Sequence, residues 1–158
     1  MRFNALSRAQ AETELLTCCA SRRWAGVVAA GRPYASAEDL FAAAGTAVRG
    51  LEWPDIEEAL NAHPRIGDRP PGTDRESGWS RGEQSGVGDA DRAAFADGNA
   101  AYEERFGHVF LICASGRDAR EMLADLRERL ANDPETERSV VHGELVEITE
   151  LRLRKLFT

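Results

Sequence analysis

Helix-opening signals recur along this chain, and no stretch alternates apolar and polar residues convincingly over the length of a strand. Ser7-x-x-Gln10 is a capping box: its hydroxyl and carboxamide satisfy N–H groups that a first helical turn leaves open. It precedes "RAQAETELLTCCA", in which Leu15, Leu16 and Cys19 recur at helical spacing. Ser21 restarts the chain before "RRWAGVVAAGRPY", a short helix closed by Gly31 and Pro33, and Ser36-x-x-Asp39 is a further box before "LFAAAGTAV". Pro54 suits the first turn of "DIEEALNA". Helices are also expected through "DADRAAFADGNAAYEERF" to Gly107 and in "DAREMLADLRERL", with Met122, Leu123, Leu126 and Leu130 on one face. Asn132, Asp133 and Pro134 stop that helix and start the last one, with its stripe of Val141, Leu145, Ile148 and Leu151. With no internal repeat and no linker, the expectation is an all-α fold without a sheet, residues 1–158 forming one domain.

Two stretches resist this pattern. Between Gly67 and Gly88 the chain turns rich in Gly, Pro and Ser and reads as a long loop, and long loops in small domains are often functional. "HVFLICASG", residues 108–116, has a length that suits either a buried strand or a buried helical segment.

The totals narrow the function. The chain has 158 residues, is 42% hydrophobic and carries a formal net charge of -7, so it has material for a core but lacks the basic surplus that nucleic-acid binding needs. No apolar run approaches a bilayer span, and the N-terminus has no signal-peptide core. Cys18 and Cys19 are neighbours and Cys113 is alone, which argues against a disulfide framework or a structural zinc site and for a cytoplasmic protein.

There are three histidines. His108 follows a helix-ending glycine and His142 lies in the last helix, and both read as structural or surface residues. His63 precedes Pro64, which disfavours the α region before it, so its imidazole projects from a stiff extended segment, either as a packing group or as a proton carrier. The run Ser80, Arg81, Gly82, Glu83, Gln84 sets a hydroxyl, a carboxylate and a carboxamide on a glycine-bearing turn or the first turn of a helix, either as a solvated loop or as part of a site. A carboxylate brought near His63 would fix its tautomer and raise its pKa. No HxxH or HExxH pair and no glycine-rich phosphate loop accompanies these segments, so metal and nucleotide chemistry have little support.

Six segments occur in an order that resembles the 2-oxo-4-hydroxy-4-carboxy-5-ureidoimidazoline (OHCU) decarboxylases of urate degradation: "CASRRWAGVVAAGRPY", "EALNAHPRIGD", "SRGEQSGVG", "FLICASGR", "LRERLANDPETE" and "ELVEITELRLRKL". "AHPRIG" followed by S-x-x-E-Q is the most specific pair. The resemblance implies an all-α, cofactor-free, metal-free homodimeric carboxy-lyase that acts on a small ureide and yields (S)-allantoin. It implies a catalytic role for His63, with Glu83 beside it, and substrate contacts from Pro64, Ser80, Arg81, Gly82, Glu83, Gln84 and the stretch Phe110, Leu111, Ile112, Cys113 and Ala114. A C-terminal arginine that grips the substrate falls on Arg152 or Arg154, and Arg152 is preferred. The chain ends "KLFT", without the peroxisomal tripeptide of animal relatives, which accords with a cytoplasmic location. Two rival readings, a helical protein-binding module and a metal-dependent ureide hydrolase, lack a contiguous aromatic face and a ligand set respectively.

Overall fold

The computed structural model describes residues 1–68, 75–84, 88 and 91–157, and among them there are helices and no strand. In chain order the helices are α1 (Arg2–Ala5), α2 (Arg8–Leu16), α3 (Arg22–Ala30), α4 (Ala37–Arg49), α5 (Trp53–Leu60), α6 (Arg75–Glu83), α7 (Arg92–Phe106), α8 (Ala119–Arg129) and α9 (Pro134–Phe157). Contacts group the chain into two units, Met1–Ala59 with Leu145–Thr158, and Leu60–Glu144.

In the first unit the caps fall where local chemistry puts them. Ser7 accepts from the Gln10 N–H while the Gln10 side chain accepts from the Ser7 N–H, and Ser21 and Ser36 cap α3 and α4 through the N–H groups of Trp24 and Asp39. α2 packs on α3 and α3 on α4. The α4 stripe of Leu40, Phe41, Ala44 and Val48 is buried, and Trp24 is fully buried with its indole N–H donating to the Ala44 carbonyl at 3.0 Å. Burying one such side chain contributes about 1.5–3 kcal/mol, against about 1 kcal/mol for a typical cap.

In the second unit the core is Ile66, Phe95, Tyr102, Phe110, Ile112, Ala114, Ala119, Met122 and Leu126. α7 and α8 pack closely because Gly98 has no side chain: a Cβ there would come within 2.9 Å of Leu126 Cδ2. Between them, residues 109–114 are neither helix nor strand. Both units therefore hold their helices by apolar faces, as the periodicity implies.

The expected long loop holds a helix of its own, α6, whose Gly78 and Gly82 disguise it. The Arg75 guanidinium lies 5.3 Å from the Trp79 ring centroid one turn on, and Ser80 is buried, so packing outweighs weak propensity. Residues 69–74 and 85–87 of the expected loop, and residues 89–90 at the start of the next expected helix, lie outside the described residues.

Candidate active site

His63 does not end a helix directly. α5 stops at Leu60, two turn residues follow, and the His63 N–H donates to the Leu60 carbonyl at 3.0 Å, so the half-buried imidazole starts on a closed turn and continues into half-buried Pro64.

The next three residues are anchored to α7. Arg65 bonds Glu103 through both ends of its fork, Nε to Oε2 at 2.8 Å and an NH2 nitrogen to Oε1 at 2.7 Å, and this guanidinium holds the Glu103 carboxyl below its usual range. The Ile66 carbonyl accepts from Asn99 Nδ2 at 2.8 Å in a buried bond. Gly67 has φ +95°, and a Cβ there would sit 3.1 Å from the Phe95 Cβ, so geometry and space both require glycine. The surface pair adds at most about 1 kcal/mol and the buried bond about 0.5–1.5 kcal/mol, enough jointly to fix the direction in which the chain leaves His63.

Ser80 to Glu83 lie on the last turn of α6, not on its first turn as one sequence reading allowed, and Gln84 follows the helix. Ser80 is buried, Glu83 and Gln84 are half-buried, and Arg81 and Gly82 face solvent. The Gln84 carboxamide oxygen accepts from the Gly67 N–H at 3.0 Å, which joins the His63 segment to the end of α6.

Phe110 to Ala114 are all buried. Their carbonyls find partners in two places: Arg129 donates to Leu111 O at 2.8 Å, and the Arg117 N–H donates to Ala114 O at 3.1 Å. Among the described residues no acceptor takes the N–H of Phe110, Leu111, Ile112 or Ala114. Unpaired backbone donors in an apolar setting are costly and rare, and a catalytic role or a bound species is among the reasons for which they are kept. Ile66, just past His63, shares one core cluster with Phe110, Ile112 and Ala114. The structure thus brings the His63 segment, the end of α6 and residues 110–114 into one unit.

The family model described as "OHCU decarboxylase" matches residues 4–154. The chain belongs to the OHCU decarboxylase family. It is 37% identical over 137 residues to the 2-oxo-4-hydroxy-4-carboxy-5-ureidoimidazoline decarboxylase of Amia calva, covering 84% of this chain and 78% of that one. It is 36% identical over 154 residues to the uric acid degradation bifunctional protein TTL of Arabidopsis thaliana, covering 93% of this chain and 47% of the relative, so the chain spans about half the length of that protein. Among solved structures, an OHCU decarboxylase crystallised in the presence of (S)-allantoin superposes with a TM-score of 0.79 at 33% identity over 91% of this chain and 96% of that one. A crystal structure of (S)-allantoin synthase gives a TM-score of 0.73 at 20% identity over 99% of this chain and 53% of that one, a likeness of fold.

Arg152 of this OHCU decarboxylase family member belongs to the other unit, where it is buried and an NH1 nitrogen donates to Thr17 O at 3.4 Å. Arg154 is exposed, pairs with Glu38 at 3.5 Å and lies 4.8 Å from the Phe41 ring centroid. The two face different surroundings, as a separation of about 200° on a helix requires.

Sequence reasoning missed the group behind residues 110–114. Arg129 is buried, its Nε and an NH2 nitrogen bond Glu137 Oε2 at 2.9 and 2.6 Å, and the Tyr102 hydroxyl donates to that same oxygen. A signal was present: Arg129 falls on the apolar face of α8, between Leu126 and Leu130.

Proposed function

We propose that this chain is a carboxy-lyase of urate breakdown, decarboxylating OHCU to (S)-allantoin without a metal or organic cofactor. What supports the reading most is one observation within a chain of this family: the Gly67 to Gln84 bond joins the segments that carry His63 and Glu83, in the unit that also holds the N–H groups of Phe110, Leu111, Ile112 and Ala114, for which the described residues offer no acceptor.

The substrate carries its own electron sink. When the bond from the hydroxyl-bearing ring carbon to the carboxylate breaks, its electron pair forms a double bond to the adjacent ureido-bearing carbon. The pair of that carbon's C=N bond moves onto nitrogen, which takes a proton. The enol left behind loses its hydroxyl proton, and the ureido-bearing carbon gains one, completing allantoin. The protein has to orient the carboxylate and steady the enol, which is positioning and electrostatics.

In this reading His63 relays the protons, Glu83 orients the imidazole, and Pro64 and Ser80 shape the wall beside it. Gln84 and the backbone of Phe110 to Ala114 bind the ureido and ring amide groups, and Arg81 and Gly82 border the entrance. Arg152 is assigned the grip on the anionic substrate. Protonation from one face sets the S configuration. The family resemblance supports action as a homodimer in the cytoplasm, checked by light scattering and fractionation.

The deciding experiment generates OHCU in place with urate oxidase and the hydrolase that follows it, and then follows circular dichroism. The protein should speed the appearance of optically active allantoin after chelator treatment as before it. Racemic product formed at the uncatalysed rate would overturn the reading.

A further inference from the structure

We infer that Arg129 is a positioning residue for this reaction, fixing the peptide between Leu111 and Ile112 so that the Ile112 N–H is presented as a substrate-binding donor. The inference rests on the proposed role of residues 110–114.

The geometry begins with the peptide plane. In a trans peptide the C=O and the following N–H point to opposite sides, so the nitrogen of Arg129 that draws in Leu111 O at 2.8 Å turns the Ile112 N–H the other way. That N–H is one of the buried donors for which the described residues offer no acceptor.

The guanidinium that sets this direction cannot swing. Glu137 Oε2 accepts from two of its nitrogens, its carbon lies 4.4 Å from the Phe110 ring centroid, and Glu137 is itself held by the Tyr102 hydroxyl and by Asn132 Nδ2 at 3.1 Å. The ring stacked under the guanidinium and the carbonyl bonded to it belong to successive residues, so plane and side chain are fixed together.

Stability alone accounts poorly for such a group. Arg129 is 4% exposed and Glu137 is not exposed at all, and buried ion pairs are often replaceable by apolar side chains of similar size without loss of stability. An apolar replacement would fill the volume but could not hold the Leu111 carbonyl.

Arg129→Lys keeps the charge but loses the fork, so one ammonium cannot hold Glu137 and Leu111 O in the same arrangement. We expect kcat to fall about tenfold with KM changed less than threefold, as for an interaction that matters chiefly in the transition state. The amide resonance of Ile112 should move on addition of (S)-allantoin in the wild type and lose most of that response in the variant. A lower melting temperature with kcat per folded molecule and the Ile112 response intact would assign Arg129 to structure and overturn the inference. Should Arg129→Lys fail to fold, Tyr102→Phe frees one support of Glu137 and should cut kcat about threefold with a weakened Ile112 response; wild-type values there overturn it equally. If no amide of 110–114 responds in the wild type, the substrate-binding role fails instead, and the inference falls with it.

Discussion

The Gln84 carboxamide oxygen accepts the N–H of Gly67 at 3.0 Å, bridging two segments whose neighbours are Glu83 and, four positions before Gly67, His63. Gln84→Ala leaves a partly buried N–H without its partner, at a cost of about 1–3 kcal/mol. The variant should melt lower and lose about tenfold in kcat/KM, read by denaturation and by the coupled allantoin assay. Wild-type kinetics would show that the bridge serves only folding.

His63→Asn should abolish decarboxylation, a loss on the order of 100-fold or more, with the far-UV spectrum and melting temperature near wild type. Asparagine keeps a hydrogen bond but carries no proton near neutral pH. His108→Asn and His142→Asn are the controls and should retain most activity. Ordinary turnover in the His63 variant would make this histidine a packing residue.

Glu83→Gln keeps size and removes charge, so it should lower kcat more than it raises KM. Steady-state kinetics at several pH values give the split. An unchanged turnover number would return Glu83 to a bystander at the end of α6.

Arg152→Ala should raise KM about tenfold with a smaller change in kcat, as expected for a group that grips an anion in ground and transition state alike. Arg154→Ala should leave both near wild type, because that side chain is engaged at the surface with Glu38 and Phe41. The reverse pattern would move the anion contact to Arg154.

Burial pushes the Cys19 thiol up to about 11, against the lowering effect of hydrogen bonds from the Ser21 backbone and the Thr149 side chain. The unfolded chain releases this proton near 9.0 and the folded chain holds it to about 11, so the folded state binds more protons in between. The corresponding stability, roughly 2–3 kcal/mol, is present below pH 9 and is lost as pH rises through 11. Urea denaturation between pH 9 and 11 should show a shallower fall for Cys19→Ala than for wild type. Parallel slopes would assign the alkaline loss to other groups, the raised Tyr34 and Tyr102 among them.

Where structure follows from neighbours a few residues apart, the sequence was readable. The serine caps at Ser7, Ser21 and Ser36 are local hydrogen bonds, and the stop at Gly107 is a local left-handed cap. α6 was hidden because its glycines lower helix propensity; the Arg75 to Trp79 contact that favours it is local, but the burial of Ser80 comes from packing against the rest of the chain. Residues 109–114 fit neither the strand nor the helix reading, because a side chain of α8 and a turn at Arg117 take carbonyls that a regular element would have used. In the candidate site, His63 and Glu83 stood out by chemistry, but the bond that links their segments depends on the positive φ at Gly67 and on Phe95, neither of which a linear pattern reveals.

The division of the chain into segments has a consequence for its synthesis. The first unit joins residues 1–59 to residues from 145 onward, and its ties reach across the sequence: Arg49 to Glu150 over 101 positions, Arg154 to Glu38 over 116, Arg152 to Thr17 over 135. A ribosome adding about 5–20 residues each second needs on the order of ten seconds to go from one segment to the other, and meanwhile α1 to α5 have emerged without the second half of α9. The second unit, continuous from Leu60 to Glu144, has all of its chain first. In the nascent protein the unit that carries His63 is therefore free to fold early, while the apolar face of α4 at Phe41, over which Arg154 lies, waits for the last helix to be made and is a surface for a chaperone to cover meanwhile.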